Sequence, residues 1–176
     1  MKKGDCSMNP VLAYEKKMYF TGKFHYLTSM VTHEDNYLIW KYLTYLRREE
    51  AATNKLTAYF WRRRKNNLGS RLGLQIYAGI CARGLHIWHY GSVIISGDAV
   101  VGENCTIHGQ ACIGSDGVST ASPVLGSNVD IGIGAKIIGN VTIADNVRIG
   151  AGAVVVRSCK EMGATLVGIP AHPVRK

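Results

Sequence analysis

The chain has 176 residues, of which 47% are hydrophobic and 19% charged, so a disordered protein is excluded and a soluble globular one is expected. The formal net charge of +9 favours an anionic partner, but charge alone does not distinguish nucleic acid, a membrane surface and a phosphorylated small molecule. Twenty glycines indicate many tight turns, and the absence of a three-residue glycine period excludes collagen.

The first 20 residues, MKKGDCSMNPVLAYEKKMYF, contain no continuous apolar core of a signal peptide. The cysteines are odd in number and form no C-x-x-C pair, which is typical of a cytoplasmic protein. The most apolar early run, YLIW followed by YLTYL, is broken by Lys41 and is about half as long as the roughly 20 residues that cross a bilayer. We therefore predict a cytoplasmic chain without a membrane span.

Residues 1–70 are predicted to form an α-helical N-terminal region. Aromatic and basic residues recur at helix-like spacing in NYLIWKYLTYLRREEAATN and KLTAYFWRRRKNNLG. The run WRRRK, with Tyr59 and Phe60, resembles a basic and aromatic nucleic-acid patch. A solvated helix end or a contact between subunits explains the run equally well, and no nucleic-acid partner is predicted.

Residues 71–176 follow a different pattern, in which an aliphatic residue returns every six positions with one step of twelve. A second column of smaller, mostly apolar residues follows each aliphatic position by four. The first column is Ile95, Val101, Ile107, Ile113, Leu125, Ile131, Ile137, Ile143, Ile149 and Val155. This hexapeptide period matches neither a helix nor a long strand, and predicts a triangular parallel β-helix with one short strand per side.

Residues eighteen apart are expected to stack on one face of this prism, and glycines after the aliphatic positions are expected to supply the bends. The predicted faces are Ile95, Ile113, Ile131 and Ile149; Val101, Ile137 and Val155; and Ile107, Leu125 and Ile143.

The repeat is interrupted twice, and interruptions of a solenoid form loops that carry function. Ile87 precedes Ile95 by eight residues, so two extra residues push out the segment that contains His89. The twelve-residue step from Ile113 to Leu125 includes the turn-rich GSDGVSTASP, with Ser119 at the skipped position, and predicts a protruding loop.

The segments GLHIWHYGSVIISGDAVVGENCTIHGQACIG and GIPA resemble the serine acetyltransferase family of hexapeptide-repeat acyltransferases. Shorter elements, YFTGKF, WRRRKNNLG and HYG, are similar to its capsule and exopolysaccharide O-acetyltransferase branch. The resemblance covers about residues 72–171. It implies a left-handed β-helix, a homotrimer, and acetyl-coenzyme A bound in the grooves between neighbouring prisms.

By this resemblance His89 matches the catalytic histidine of the family, although the residues alone favour a histidine that satisfies a turn. An imidazole is suited to move a proton from an acceptor hydroxyl to the departing thiolate. The family's partner aspartate is absent, since Leu74 or Gln75 stands in its place, and Trp88 replaces another aspartate. Ser122 and Pro123 replace an acceptor-binding motif of the loop.

These departures predict a sugar of a surface polysaccharide or its precursor as the acceptor. The alternatives are a serine O-acetyltransferase of cysteine biosynthesis and a non-catalytic β-helix scaffold or binding protein.

Other candidate site residues follow from their places in the repeat. His108 should lie beside Trp88 on the next coil and so near His89, where it orients the acceptor or the base, or is a solvated turn residue. The backbone N–H groups of Gly114 and Ser115 are candidate donors to the thioester oxygen.

The resemblance also implies which residues bind the acetyl donor, acetyl-coenzyme A. Glycine-rich turns at Gly132, Ile133 and Gly150 are expected to admit the pantetheine arm, although turn geometry alone requires such glycines. Arg157 and Lys160, with Arg175 and Lys176, are expected near the nucleotide phosphates. A solvated terminus explains these cations equally well.

His86, His89 and His108 are close in sequence, as zinc ligands can be, but no cysteine or carboxylate completes a ligand set, so no metal is predicted. Cys81, Cys105 and Cys159 fall at or near interior positions, and core packing is predicted for them.

Overall fold

A computed structural model describes residues 9–118 and 121–174. Its first part consists of four helices, and no helix among the described residues is long and apolar enough to cross a membrane. The helices are α1 (Pro10–Tyr19), α2 (Lys23–Thr32), α3 (Asp35–Glu50) and α4 (Lys55–Leu72). The Asn54 side chain caps α4 by accepting a hydrogen bond from the Thr57 N–H, and α4 ends at Gly73, whose φ of 67° is left-handed.

The second part consists of short strands separated by turns. The strands are β1 (Leu74–Gln75), β2 (His86–Ile87), β3 (Val93–Ile95), β4 (Val100–Val101), β5 (Thr106–Ile107), β6 (Cys112–Gly114), β7 (Val124–Leu125), β8 (Asp130–Ile131), β9 (Lys136–Ile138), β10 (Thr142–Ile143), β11 (Arg148–Ile149), β12 (Val154–Val155), β13 (Thr165–Gly168) and β14 (Ala171–Val174).

These strands form three sheets, in the orders β1-β3-β6-β9-β12, β10-β7-β4 and β14-β13-β11-β8-β5-β2. Pairing is parallel throughout, except that β13 and β14 form an antiparallel pair at the end of the third sheet. The prediction of a helical region followed by a parallel β-helix is thereby confirmed.

The predicted stacking is wrong for the pairs of residues that lie across the long loop from each other. Ile113 pairs with Ile137, not Ile131, and Ile107 pairs with Ile131, not Leu125. Pairs that flank the loop are 24 residues apart, whereas pairs after it, such as Ile131 and Ile149, are 18 apart. The loop leaves the prism, so its six additional residues occupy no side of the coil.

Among the described residues, none of the glycines that directly follow the aliphatic positions is at positive φ. The left-handed turn positions include Asn104, Asn128 and Asn146, with φ near 56° to 60°, and other glycines such as Gly134 and Gly152; asparagine and glycine tolerate this conformation better than most residues. Gly102 instead allows two coils to approach, because a Cβ there would lie within 2.4 Å of the carbonyl oxygen of Gly126.

The helices are joined to the first coil by buried charges and by a shared apolar core. Arg47 is paired with Glu15, at 2.7 Å, and both side chains are almost fully buried. Arg47 also donates to the carbonyl oxygens of Cys81 and Ala82, while Glu15 accepts from the N–H of Gly84. The buried charges thus contact the backbone of the β-helix directly.

Candidate active site

His89 lies in the segment that leaves the coil between two buried positions. Ile87 and Val93 are fully buried, whereas His89 between them is exposed. The segment returns through Gly91 and Ser92, both at positive φ. No hydrogen bond or ion pair joins the His89 side chain to another side chain among the described residues. An unpaired imidazole at the surface is available to a substrate.

His89 stands at a shallow groove of about 380 Å³ on one corner of the β-helix. Five of the predicted site residues line it: His89, His108, Gly132, Ile133 and Gly150. The other lining residues are Asp130, Arg148, Ile149 and Ala151. Glycine and alanine give one side of the groove little bulk, and the half-exposed Ile133 adds an apolar wall.

His108 is held in this groove by a carboxylate. Its Nε2 lies 2.8 Å from Asp130 Oδ1, and Asp130 Oδ2 lies 3.5 Å from Arg148 Nε. The Trp88 ring is stacked on the His108 ring at 6.0 Å and 15°, as the predicted placement on successive coils requires. These contacts fix the imidazole in position and orientation.

The arrangement also selects a tautomer of His108. An ionised Asp130 only accepts hydrogen bonds, so the Nε2 atom of His108 carries the proton that it donates. The neutral ring then has its acceptor lone pair on Nδ1, which is free to accept a hydrogen bond from a hydroxyl group.

Asp130 and Arg148 were missed by the sequence analysis. The signal was available, because each residue precedes an interior isoleucine, as Thr106 does, and the three are paired in register on one sheet. The wrong assignment of faces across the loop separated Asp130 from Thr106 and His108.

Four predicted donor-binding residues do not line this groove. Gly114 lies in β6, where its carbonyl oxygen accepts from the N–H of Gly139, and the exposed Ser115 follows it. Arg157 and Lys160 are exposed beyond β12. Ser119, Arg175 and Lys176 lie outside the described residues.

The positions at which this chain departs from the serine acetyltransferase pattern hold uncharged side chains. Leu74 is buried in β1 against Val93, and the exposed Gln75 lies 3.4 Å from the hydroxyl of Tyr77. In the loop, Ser122 is buried and donates to Ser96 at 3.4 Å.

The pKa values of one histidine and two cysteines of the β-helix are shifted so that the uncharged form is favoured. Burial, with a smaller contribution from His108, lowers the pKa of His86 below its usual 6.5. Burial raises the pKa of the Cys81 thiol to about 12 and that of Cys105 to about 11, which disfavours the nucleophilic thiolate. The described residues contain no group of three His, Cys, Asp or Glu side chains that could hold a metal ion.

Comparison with known proteins places the chain among acyl-transferring enzymes. The family described as bacterial transferase hexapeptide (six repeats) matches residues 122–157. Serine acetyltransferase from Neisseria gonorrhoeae, in complex with serine, is 26% identical with a TM-score of 0.71, covering 93% of this chain and 67% of that one. The chain is therefore similar in fold to serine acetyltransferases and carries a transferase-type hexapeptide repeat over residues 122–157.

Two further structures extend the similarity. A second structure of Neisseria gonorrhoeae serine acetyltransferase is 24% identical with a TM-score of 0.74, covering 98% of this chain and 68% of that one. Soybean serine acetyltransferase complexed with serine is 25% identical with a TM-score of 0.66, covering 79% and 58%. The chain spans about two thirds of the bacterial enzyme. No curated protein sequence matches it.

Proposed function

We propose that the protein moves an acetyl group from acetyl-coenzyme A to an acceptor hydroxyl, with His89 as general base. The observation that carries this proposal is the exposed, unpaired His89 imidazole beside a groove that contains a hydrogen-bonded His108. Acetyl-coenzyme A supplies the acetyl group as a reactive thioester. Gly132, Ile133 and Gly150 would hold its pantetheine arm, because their small or apolar surfaces line the groove.

His89 acts on the proton and forms no covalent intermediate. Its imidazole accepts the hydroxyl proton as the acceptor oxygen bonds to the carbonyl carbon, and it returns the proton to the sulfur when the C–S bond breaks. His108 acts beside it as a positioning group. With Asp130 holding Nε2, the free Nδ1 of His108 accepts a hydrogen bond from the acceptor and orients it.

Two acceptor classes are each supported by a separate observation. Serine is supported by the similarity to serine acetyltransferases, two of which were solved with serine bound. A saccharide is supported by Trp88, whose half-exposed ring lies parallel to His108 beside the base. A flat aromatic ring offers an apolar face to a sugar ring. We favour the saccharide.

The resemblance supports further parts of this proposal. We infer left-handed coils, a homotrimer with grooves between prisms, a cytoplasmic location, and a division into a helical region (1–70) and a β-helix domain (71–176). A trimer would bring a neighbouring chain to the exposed Arg157 and Lys160, where the nucleotide end of the donor is expected. Gly114 and Ser115 are retained as candidate oxyanion donors on the same basis.

The test is thiol release from acetyl-coenzyme A with serine, nucleotide sugars and neutral or acidic oligosaccharides as acceptors, with product mass as a second readout. His89→Ala is expected to lower kcat by roughly 10²-fold to 10⁴-fold. His25→Ala, a histidine of α2 outside the groove, is the matched control. Undiminished turnover by His89→Ala would contradict the general-base role, and no turnover with any acceptor would favour a non-catalytic protein.

The positioning role of His108 is tested separately. His108→Ala and Asp130→Asn are expected to lower kcat in the same direction, and their effects should not add, because the two side chains act as a unit. The pH–rate profile of His108→Ala distinguishes orientation from proton transfer. A rate within twofold of the unsubstituted protein would reject the role.

A further inference from the structure

A second groove, of about 470 Å³, lies between the exposed faces of α3 and α4. We call it the basic groove. Its cations are Lys41 from α3 and Arg63, Arg64 and Arg71 from α4, and Tyr45 and Phe60 supply aromatic surface. No carboxylate lines it. A positive groove with no internal counterion attracts an anion.

The cations of α4 are divided between its two sides. Lys65 is buried and paired with Glu49 at 2.9 Å, and Arg62 is paired with the same carboxylate at 2.7 Å. The basic-groove cations form no ion pair among the described side chains. Glu49 thus neutralises Arg62 and Lys65, whereas the basic-groove cations are available to a ligand.

Aromatic rings restrict some of these cations before any ligand binds. The Arg64 guanidinium lies 5.0 Å from the centre of the Phe60 ring, and the Lys41 ammonium lies 5.6 Å from that of Tyr37. A guanidinium with a fixed plane binds a carboxylate by two parallel hydrogen bonds and loses little entropy in doing so.

The end of α4 that carries Arg71 is hydrogen-bonded through its backbone to the segment that contains His89. Arg64 and Arg71 are two helical turns apart, about 11 Å along α4. Arg71 immediately precedes Leu72, whose carbonyl oxygen accepts a hydrogen bond of 2.8 Å from the N–H of Gly91. Gly91 lies two residues after His89. One end of the groove is therefore joined by backbone to the proposed base.

We propose that the basic groove binds an anionic saccharide, the carboxylate-bearing part of the acceptor that does not itself react. This inference rests on the proposed acetyl transfer and defines its acceptor as an acidic oligosaccharide. Arg63, Arg64 and Arg71 contact the sugar carboxylates, Tyr45 and Phe60 contact the sugar rings, and the chain continues toward His89. A nucleic acid would also match the positive charge. The saccharide is favoured because it carries both the anionic groups for the basic groove and several hydroxyls that can accept the acetyl group.

The experiment compares an oligosaccharide containing uronic acids with the same oligosaccharide after its carboxyl groups are converted to neutral amides, which removes the charge without adding an acceptor hydroxyl. We expect kcat/KM to be at least tenfold higher for the acidic form, and the ratio to fall toward one in the double variant Arg64→Glu, Arg71→Glu. Lys55→Glu reverses one exposed charge at the start of α4, outside the groove, and should keep the ratio. A ratio near one in the unsubstituted protein, or an unchanged ratio in the double variant, overturns the inference.

Binding measured by calorimetry separates this inference from the acetyl transfer. If neither oligosaccharide is acetylated, the acceptor proposal fails, yet salt-sensitive binding of the acidic form that the double variant loses still supports the groove. Absence of binding overturns it. A single-stranded oligonucleotide of equal charge that binds more tightly than the acidic oligosaccharide overturns the saccharide assignment. Circular dichroism verifies that the double variant is folded.

Discussion

The helical region and the β-helix bury very different side chains. Glu15, Arg47, Glu49 and Lys65 are charged and almost fully buried in the helical region, whereas Ser122 is the single buried polar side chain that the described residues of the β-helix contribute. The repeat places the same small or aliphatic groups at each interior position, so no polar contact is needed to align its coils. The helices have no such repetition, and their charges contact particular backbone groups of the first coil.

The largest effect is expected at the buried pair of Glu15 and Arg47. Glu15→Gln removes the negative charge and leaves Arg47 buried without its closest counterion, so stability should fall by about 3–5 kcal/mol. Urea unfolding followed by circular dichroism measures it. The double variant Glu15→Leu, Arg47→Met removes both charges and should recover much of the loss. A loss below about 1 kcal/mol for Glu15→Gln would show that charge does not hold the helices.

A slightly smaller effect is expected in the β-helix, where Ile131 is completely buried between Ile107 and Ile149. Ile131→Ala should cost about 2–5 kcal/mol because it leaves a cavity inside a stack, and Ile131→Val about 0.5–1.5 kcal/mol. The same unfolding measurement compares the two variants. Equal losses would contradict close packing of the prism.

The smallest expected effect is a pH dependence of stability that comes from His86, at the boundary between the two regions. The His86 ring lies 4.9 Å from the ring of Tyr19 in α1. Burial lowers the pKa of His86 in the folded chain below the 6.5 of an unfolded one, so the unfolded state binds the proton more readily. The stability contributed by neutral His86 is present above pH 6.5 and is lost as pH falls toward the lowered pKa. Comparing thermal midpoints at pH 7.5 and 5.5 should show a smaller drop for His86→Phe than for the unsubstituted chain, and an equal drop would refute this explanation.

Much of the fold was predictable because the period of six is a property of local sequence. The aliphatic column predicted the β-helix, and the eight-residue step identified the segment that exposes His89. The stacking of Trp88 and His108 followed from their equal places after Ile87 and Ile107.

The wrong face assignments and the missed carboxylate have one origin, the length of chain that leaves the prism at the long loop. Counting residues does not reveal whether a twelve-residue step includes a side of the triangle, so Ile113 was placed opposite the wrong isoleucine. The same error concealed Asp130, the carboxylate that holds His108.

The sequence alone determined the coil, its interior column and the position of the expelled histidine, because each depends on spacing within one or two repeats. The tertiary structure decided which coils meet across the loop, which carboxylate pairs with His108, and which cations of α4 are neutralised by Glu49. These depend on contacts between residues distant in sequence, and no local period encodes such distances.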